Sequence, residues 1–499
     1  MADSKLVVFV HGWSVRHTNT YGRLPDRLKV EAAAAGIDID VENVYLSKYI
    51  SFRDEVRVED IARGMEAAFS NEPAIQTALT DGRRMVVITH STGGPVAREW
   101  LFRFYVKQKR SCPMSHLIML APANFGSALA QLGKSKVSRL KSWAEGVEPG
   151  QGVLDWLELG SDESWQLNES WIRQTPQWSA QGDVHQFVLT GQQIDRSLYD
   201  HVNSYTGETG SDGVVRVAAA NLNATYVKCV QEIDQDEADK GNWRATKFRQ
   251  AIRRVAPKTA LAVLPGQSHS GATKGILRSV KMTGDHPTVS AILKCLTVDD
   301  ADDYAKVVKD FATLTKKTQE DEHTEIEDRF FFSDRVFTHP ATTQMIVRIT
   351  DEAGHSLDDF DFLLTSWDRD AAKAAYRVPN PNLLPSGFLI DRQRNQIRRN
   401  TLTFYLNHEL IASTANLGVA VLPRPEPAPN AKRADDFFVH YLRGLIGSDA
   451  KTIAAYLQPN STLMLDIVML RMVRQGVFSL TRDTNARDFT NTDPGAPVS

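Results

Sequence analysis

Short apolar runs of strand length alternate with segments of helical periodicity from residue 5 to about residue 295. The strand candidates are 6–10, 41–46, 85–88, 116–120, 184–189 and 261–264, and the helical segments between them include 58–79 and 94–107. Most of these strand candidates are apolar throughout, which is typical of strands buried on both faces of a parallel sheet. The pattern therefore predicts an α/β fold, in which helices cover both faces of a parallel sheet.

The alternation breaks down between residues 125 and 180, where five of the nine tryptophans lie. We interpret this stretch as a helical cap inserted at about 125–182. Two interpretations of its tryptophans stay open. They form the core of the cap, because Trp is highly buried on average, or some of them line an acyl-chain pocket or touch lipid. Trp156 and Trp165 are the candidates for such a pocket.

The periodicity changes to about two beyond residue 330, after a charge-rich connector at 297–329 in which 306–314 is compatible with a helix. The alternating runs are 344–350, 360–364, 387–390, 401–407, 418–422, 463–469 and 476–480. Turn-forming stretches separate them, which predicts a β-rich, sandwich-like domain of antiparallel strands over 330–484. We expect residues 1–296 to form the first domain and the polar residues 485–499 to be a disordered tail.

The charge balance and the cysteines exclude several classes of function. The 499 residues carry 58 Lys plus Arg against 61 Asp plus Glu, so no net positive charge favours nucleic acid as a partner. Cys112, Cys229 and Cys295 are far apart and form no CxxC pair, which argues against a disulfide framework and against a zinc site. We expect reduced cysteines in the core, no metal and no organic cofactor.

The N-terminal residues predict a protein without an export signal. Only five strongly apolar residues, 6–10, follow the first charged residues, which is too few for a signal peptide or a membrane span. We therefore expect synthesis in the cytoplasm. Export by a secretion system that needs no N-terminal signal stays open.

Residues 85–100, MVVITHSTGGPVAREW, have the strand, sharp turn and helix of a nucleophile elbow. In that motif, G-x-S-x-G, the nucleophilic serine occupies the turn. Ser91 is therefore the candidate nucleophile, and Gly93 supports the turn. Thr89 replaces the first glycine of the motif, so its side chain must fit where the strand and the helix pack closely.

A serine nucleophile needs a histidine base that an acid orients, and on this fold the triad follows the order Ser, acid, His. His269 is the candidate base, because it lies just beyond the strand candidate 261–264, in a loop that would reach Ser91. His286 is the alternative, although it precedes a helical segment, where a cap or surface role is expected. His90 is excluded as the base because adjacent residues in a strand point to opposite faces.

The acid has three candidates between the serine and the histidine. Asp212 lies in the glycine-flanked turn GSDGVV, and Asp195 and Asp200 are the alternatives.

The oxyanion hole is predicted from two backbone amides. His11 and Gly12 directly follow the first strand candidate, and a His-Gly pair at that point commonly shapes the loop that donates one of the two N–H groups. The predicted donors are therefore the N–H of Trp13 and that of Thr92, which follows the nucleophile at the start of a helix.

Taken together, these motifs resemble those of α/β-hydrolase lipases. The resemblance is carried by HGW after the first strand, THSTGG at the elbow, APANFGS after the next strand, and SDGVV before SHSG, and it covers about residues 5–296. In bacterial triacylglycerol lipases an Asp-Gly-[Val/Ile]-Val segment supplies the triad acid, so the resemblance implies that role for Asp212. The chain looks most similar to lipases related to glycosylphosphatidylinositol inositol-deacylases, a group that includes phospholipase effectors of type VI secretion.

The resemblance implies a serine-dependent carboxylic ester hydrolase that acts on lipid esters at a lipid or membrane surface, as a phospholipase A-type enzyme or an acylglycerol lipase. Two alternatives stay open. The first is an esterase or thioesterase for small soluble esters, selected by the tryptophan-rich cap. The second is a binding or delivery protein whose hydrolase fold is catalytically inactive. In each case the β-rich domain would dock lipid, bind a protein partner or serve as a scaffold.

Overall fold

The structure is a computed structural model that describes residues 4–12, 19–50, 53–135, 150–174, 184–194, 209–327, 335–366, 384–411, 413, 416–426, 439–449 and 454–473. Its strands are β1 (Lys5–His11), β2 (Ile39–Tyr45), β3 (Met85–His90), β4 (Met114–Leu120), β5 (His185–Thr190), β6 (Ala224–Ile233), β7 (Thr246–Val255), β8 (Ala260–Val263), β9 (Thr324–Glu327), β10 (Arg335–Thr338), β11 (Thr342–Asp351), β12 (Phe360–Thr365), β13 (Leu389–Arg394), β14 (Thr401–Asn407), β15 (Asn416–Pro423), β16 (Val439–Tyr441), β17 (Gly444–Asp449), β18 (Thr462–Met469) and β19 (Arg471–Val473). Its α-helices are α1 (Leu24–Ala34), α2 (Val58–Asn71), α3 (Pro73–Thr80), α4 (Gly93–Leu101), α5 (Ala128–Ser135), α6 (Gln151–Leu157), α7 (Asp162–Arg173), α8 (Val217–Ala220), α9 (Gln235–Ala238), α10 (Pro287–Leu296), α11 (Ala301–Asp321) and α12 (His408–Ile411).

Six parallel strands form the first sheet in the order β2-β1-β3-β4-β5-β8. All six strand candidates of the first part of the sequence are confirmed, with ends that differ by at most two residues. The carboxyl ends of parallel strands lie at one edge of the sheet, where α/β proteins place their sites. The segments that follow β3 and β8 therefore emerge at the same edge of the sheet, with the ends of β4 and β5 between them.

Helices cover both faces of this sheet, as the periodicity predicts. On one face α2 presents Val58, Ile61 and Met65 at helical spacing to an apolar cluster that also contains Trp100 of α4. On the other face α1, α10 and α11 form a second buried cluster with the strands. We call the first sheet with its helices the parallel-sheet unit.

The connector expected at 297–329 contains the longest described helix. Asp300 caps α11 by accepting from the N–H groups of Asp302 and Asp303, and Val307 and Phe311 are buried against the first sheet. The helix is longer than the expected segment 306–314, because the cap and the apolar stripe extend it at both ends. It therefore packs as part of the parallel-sheet unit.

The second sheet is mixed and takes two strands from the first part of the chain. Its order is β13-β14-β11-β18-β6-β7, and β18 runs parallel to both β11 and β6. The expectation of purely antiparallel strands was wrong here, because β18 pairs with distant strands instead of a hairpin neighbour. The pair β6–β7 was absent from the strand candidates, since β7 is polar and mostly exposed.

A third sheet, β12-β15-β17, packs on the second through a shared apolar cluster. We call these two sheets the β-rich unit. The helices α5, α6 and α7 occupy the described part of the stretch predicted as a cap. The expected strand 476–480 and the tail 485–499 lie outside the described residues.

Candidate active site

Ser91 occupies the turn between β3 and α4 in a left-handed conformation. Its φ is 53°, which is uncommon for a residue with a side chain and typical of the nucleophile elbow. The Ser91 N–H donates to the carbonyl of Leu120 at 2.9 Å, so the turn is fixed to the end of β4. A strained residue that the surrounding structure holds in place is a sign of function at this position.

Small residues at the start of α4 make this elbow possible. A Cβ on Gly93 would lie 3.1 Å from Cβ of Thr89, and a Cβ on Gly94 would lie 2.6 Å from Cβ of Pro122. Thr89 itself is fully buried and faces Gly93. The threonine that replaces the first glycine of the motif is accommodated because the helix has no side chain opposite it.

His269 brings an imidazole to the nucleophile from the loop after β8. Its Nε2 lies 3.0 Å from Oγ of Ser91, and its side chain is only 1% exposed. This distance is within hydrogen-bond reach, so the serine hydroxyl donates to Nε2 when that nitrogen carries no proton. The candidate base of the sequence therefore stands next to the candidate nucleophile.

Asp212 completes the row on the other side of the imidazole. Nδ1 of His269 donates to Oδ2 of Asp212 at 3.0 Å, and Oδ1 accepts from the N–H groups of Val214 and Val215 at 3.0 and 2.8 Å. The carboxylate is fully buried. Because it accepts from Nδ1–H, it fixes the tautomer that leaves Nε2 free to accept the serine proton.

The backbone reinforces this pairing between the base and the acid. The His269 N–H donates to the carbonyl of Asp212 at 2.9 Å, so the two loops are joined by their main chains as well as by their side chains. Asp195 and Asp200, the alternative acids, lie outside the described residues. His286, the alternative base, accepts from the N–H of Thr288 and caps α10, as expected.

His90 lies at the site, contrary to the expectation that it points to the opposite face. Its ring centroid is 4.8 Å from that of His269, and its Nε2–H donates to the carbonyl of His269 at 3.1 Å. Burial, together with the neighbouring His269, lowers the pKa of His90 to about 3. Side chains alternate between faces only within a strand. Ser91 lies beyond the end of β3 in a left-handed conformation, so its side chain need not point away from that of His90. His90 is thus a neutral hydrogen-bond donor to the backbone of the loop that carries His269.

The predicted oxyanion donors are only partly within the described residues. Thr92 is the N-cap residue of α4, and no described backbone carbonyl accepts from its N–H. Trp13 lies outside the described residues. Of the supporting motif, the buried ring of His11 faces Oδ1 of Asn43 at 2.9 Å, and Gly12 follows it at the end of β1. Burial lowers the pKa of His11, so its ring is a neutral support for this loop.

The two tryptophans proposed for a substrate pocket, on α6 and α7, are buried in the apolar cluster on one face of the first sheet. Trp156 is 3% exposed and Trp165 is 2% exposed. Nε1–H of Trp165 donates to Glu169, and the guanidinium of Arg348 lies 4.3 Å from its ring centroid. Their burial favours core packing over an acyl-chain pocket, and the contact of Trp165 with Arg348 of β11 shows that this core extends beyond the cap helices.

Ser127 is a further site residue, and it was not among the residues predicted from the sequence. Its hydroxyl donates to the carbonyl of Val214 at 2.6 Å and so holds the turn that carries Asp212. The signal was present, because Ser127 is the last residue of the motif APANFGS that contributes to the lipase resemblance. The motif by itself does not show that this hydroxyl reaches the turn of Asp212.

Among the described residues, no cluster of His, Cys, Asp and Glu has the arrangement of a metal site. The three cysteines are free and buried.

No helix in the described part of the chain is both long and apolar enough to cross a membrane. The chemistry that the described residues offer is a nucleophilic hydroxyl, a base in contact with it and an acid that orients the base.

Two solved structures are similar to the whole chain. Phospholipase PlaB from Legionella pneumophila has 42% sequence identity and a TM-score of 0.84, and the alignment covers 99% of both chains. The same phospholipase in complex with thio-NAD aligns with 41% identity and a TM-score of 0.83, covering 99% of this chain and 100% of that one. No protein-family model and no curated protein sequence matches the chain.

Proposed function

Because this chain belongs to the family of phospholipase PlaB and is a carboxylic ester hydrolase that acts on lipid esters, we propose that it cleaves the acyl esters of phospholipids through an acyl-enzyme on Ser91. The substrate class is carried over from the name of the relative. The mechanism is proposed from the geometry of Ser91, His269 and Asp212 in this chain.

The first half-reaction transfers the acyl group to the protein. Nε2 of His269 takes the proton of Ser91 while Oγ attacks the ester carbonyl, and the imidazolium then gives that proton to the departing alcohol. Asp212 stabilises the imidazolium and keeps its ring in the orientation seen here. A buried carboxylate with two backbone donors is already organised for this task and need not rearrange during the reaction.

The second half-reaction returns the serine. His269 takes a proton from water, the water oxygen attacks the acyl carbonyl, and the fatty acid leaves as the Ser91 hydroxyl recovers its proton. In both steps the oxyanion is stabilised by backbone N–H groups. We assign this role to Thr92, at the positive end of α4, and to Trp13.

The observation that carries the proposal is the continuous row of hydrogen bonds from Ser91 to Asp212 through the imidazole. Each side-chain contact in the row is 3.0 Å long, and the nucleophile occupies a left-handed turn. Structural histidines and aspartates occur in many loops, but a row of this kind that ends on a strained serine is the arrangement of acyl-transfer enzymes.

The test is an assay of the purified protein on vesicles of a diacyl phospholipid, beside Ser91→Ala. We expect fatty acid and lysophospholipid from the unchanged protein and neither from the variant. Activity that survives the substitution would overturn the role of Ser91. Turnover of soluble short-chain esters only, with intact vesicles left untouched, would overturn the lipid substrate and favour a small-ester enzyme.

A further inference from the structure

The loop that carries Asp212 lies at the boundary between the parallel-sheet unit and the β-rich unit. We propose that Arg216, at the end of this loop, is a positioning residue for the triad acid, and that Asp391 and Tyr405 of the β-rich unit hold it in place. This inference rests on the proposed function, because it assigns a role in the reaction of Ser91. We call residues 211–216 the acid loop.

The backbone ties Arg216 to the position of Asp212. Ser211 and Arg216 form an isolated antiparallel bridge, so the two ends of the acid loop are paired. Within the loop the N–H of Asp212 donates to the carbonyl of Val215 at 3.3 Å. A displacement of Arg216 therefore moves the residue before the acid and the amides that its carboxylate accepts from.

The side chain of Arg216 is bound by two residues of the β13–β14 hairpin. Its Nη1 donates to Oδ2 of Asp391 at 3.0 Å, and its guanidinium lies 4.1 Å from the ring centroid of Tyr405. Only 5% of the arginine side chain is exposed, so the ion pair and the ring replace much of its hydration. A buried guanidinium with such partners has one favoured position, and the loop attached to it shares that constraint.

The hairpin presents its two contacts to Arg216 as a cross-strand pair. Asp391 and Tyr405 are directly opposite each other, and the register shifts between Leu389 and Asp391, as at a β-bulge. Bulges re-aim side chains beside functional sites. The hydroxyl of Tyr405 in turn accepts from Nε2 of Gln344, which fixes the ring to β11.

The acid loop is thus held by side-chain contacts from both units. Ser127 of the parallel-sheet unit donates to the carbonyl of Val214, while Arg216 is held by the β-rich unit. A Cβ on Gly210, which precedes the loop, would lie 3.2 Å from the side chain of Thr342 in β11. The β-rich unit is therefore part of the support of the triad and not an appended module.

The experiment measures kcat and KM for Arg216→Gln and Asp391→Asn on a soluble fluorogenic ester. A misplacement of about 1 Å costs up to about 100-fold in rate, so we expect kcat to fall between about 10-fold and 100-fold for Arg216→Gln and less for Asp391→Asn. We expect KM to change less than about twofold, because ground-state binding is not altered.

A control uses Arg398, a more exposed arginine that lies in the β13–β14 hairpin itself. Arg398 pairs with Asp162 of α7 at 2.6 Å, so it also joins the hairpin to a helix outside the β-rich unit, and none of the described contacts joins it to residues 211–216. We expect Arg398→Gln to keep the kcat of the unchanged protein. An equal loss in Arg398→Gln would mean that any loosening of the boundary lowers activity, which would overturn the specific role of Arg216.

The deciding measurement repeats Arg216→Gln in an Asp212→Asn background, with the rate of fluorophosphonate labelling of Ser91 as the readout. If Arg216 acts through Asp212, its substitution should not lower the labelling rate further once the acid has been replaced. Losses that multiply would overturn the inference, as would a kcat for Arg216→Gln equal to that of the unchanged protein.

Two checks separate this inference from others. If Ser91→Ala and Asp212→Asn keep full activity, the proposed function itself fails. If both lose activity while Arg216→Gln does not, only the inference about Arg216 fails. Should Arg216→Gln unfold, as judged by its thermal unfolding, Asp391→Asn provides the same test, because Asp391 is 29% exposed and its amide is a smaller change.

Discussion

The nucleophile and the acid of this site are held in two very different ways. Ser91 depends on a strand, a turn and a helix that follow one another within residues 85–101, and β4 supplies the neighbouring backbone. Asp212 depends on contacts that are distant in sequence, from Ser127 on one side and from Asp391, through Arg216, on the other. The elbow is a local structure, whereas the acid loop is assembled by the whole fold.

This difference shows where a single sequence is informative. A local structure leaves its signature in consecutive residues, so Ser91 could be identified from one short motif. A loop supported by remote side chains leaves no such signature, and Asp212 stood among three aspartates until the lipase resemblance favoured it. The same difference predicts how substitutions in the two regions should behave.

The largest effects are expected from the reacting groups themselves. By analogy with serine proteases, Ser91→Ala should lower kcat by about 10⁶-fold and Asp212→Asn by about 10⁴-fold, because the amide holds the imidazole in the wrong tautomer. The measurement is kcat on a short-chain ester for each purified variant. An Asp212→Asn variant within tenfold of the unchanged protein would mean that the acid lies elsewhere.

The close packing of the elbow should appear as a loss of stability in Gly94→Ala. The new Cβ would lie 2.6 Å from Cβ of Pro122, and we expect the free energy of unfolding to fall by about 1–3 kcal/mol. Gly64→Ala in α2 is the control, because a Cβ there would meet Ile50 at an ordinary 3.4 Å. Urea unfolding of both variants compares them, and equal midpoints would contradict the tight elbow.

Because His90 is neutral in the folded protein, we expect the free energy of unfolding to depend on pH through this residue, which lies beside Ser91 in the elbow. Its pKa is about 3 in the folded protein, against an ordinary value of 6.5, because burial disfavours the charged ring. The unfolded chain therefore binds more protons between these values, so stability falls as the pH drops from about 6.5 to about 3. The slope from this ring is at most about 1.4 kcal/mol per pH unit.

The variant His90→Gln should flatten that slope while its amide still donates to the carbonyl of His269. Urea unfolding between pH 4 and pH 7 is the measurement. His116→Gln is a useful comparison, because burial also lowers the pKa of His116 to about 3, but its ring binds the carbonyl of Val298 away from the triad. An unchanged slope in His90→Gln would show that His90 titrates normally.

The smallest effect is expected at Thr89, and its sign is unusual. The threonine hydroxyl is buried, and none of the described residues is within hydrogen-bond reach of it, so Thr89→Val removes a buried polar atom and keeps the shape of the side chain. We expect the protein to become more stable by about 1 kcal/mol, with kcat unchanged. Thermal unfolding tests this, and a loss of stability would mean that the hydroxyl has a partner in solution.

The sequence was sufficient for the first sheet, for Ser91 and for His269, because apolar runs and strand exits are local patterns. It was insufficient for the β6–β7 pair, whose polar strand β7 gives no apolar signal and whose partner β18 is more than two hundred residues away. It also misplaced His90, because the strand alternation was applied across a turn. Arg216 escaped notice for a related reason: its partners are set by the fold and not by its neighbours.

The central claim is that acyl transfer passes through Ser91. It is tested most directly by mixing the protein with a short-chain ester, quenching within one turnover and locating the acyl group by peptide mass spectrometry. The account predicts one acyl group on Ser91, formed at least as fast as the overall turnover and absent from Ser91→Ala. Full turnover without this adduct, or an acyl group on another residue that forms at the catalytic rate, would contradict it.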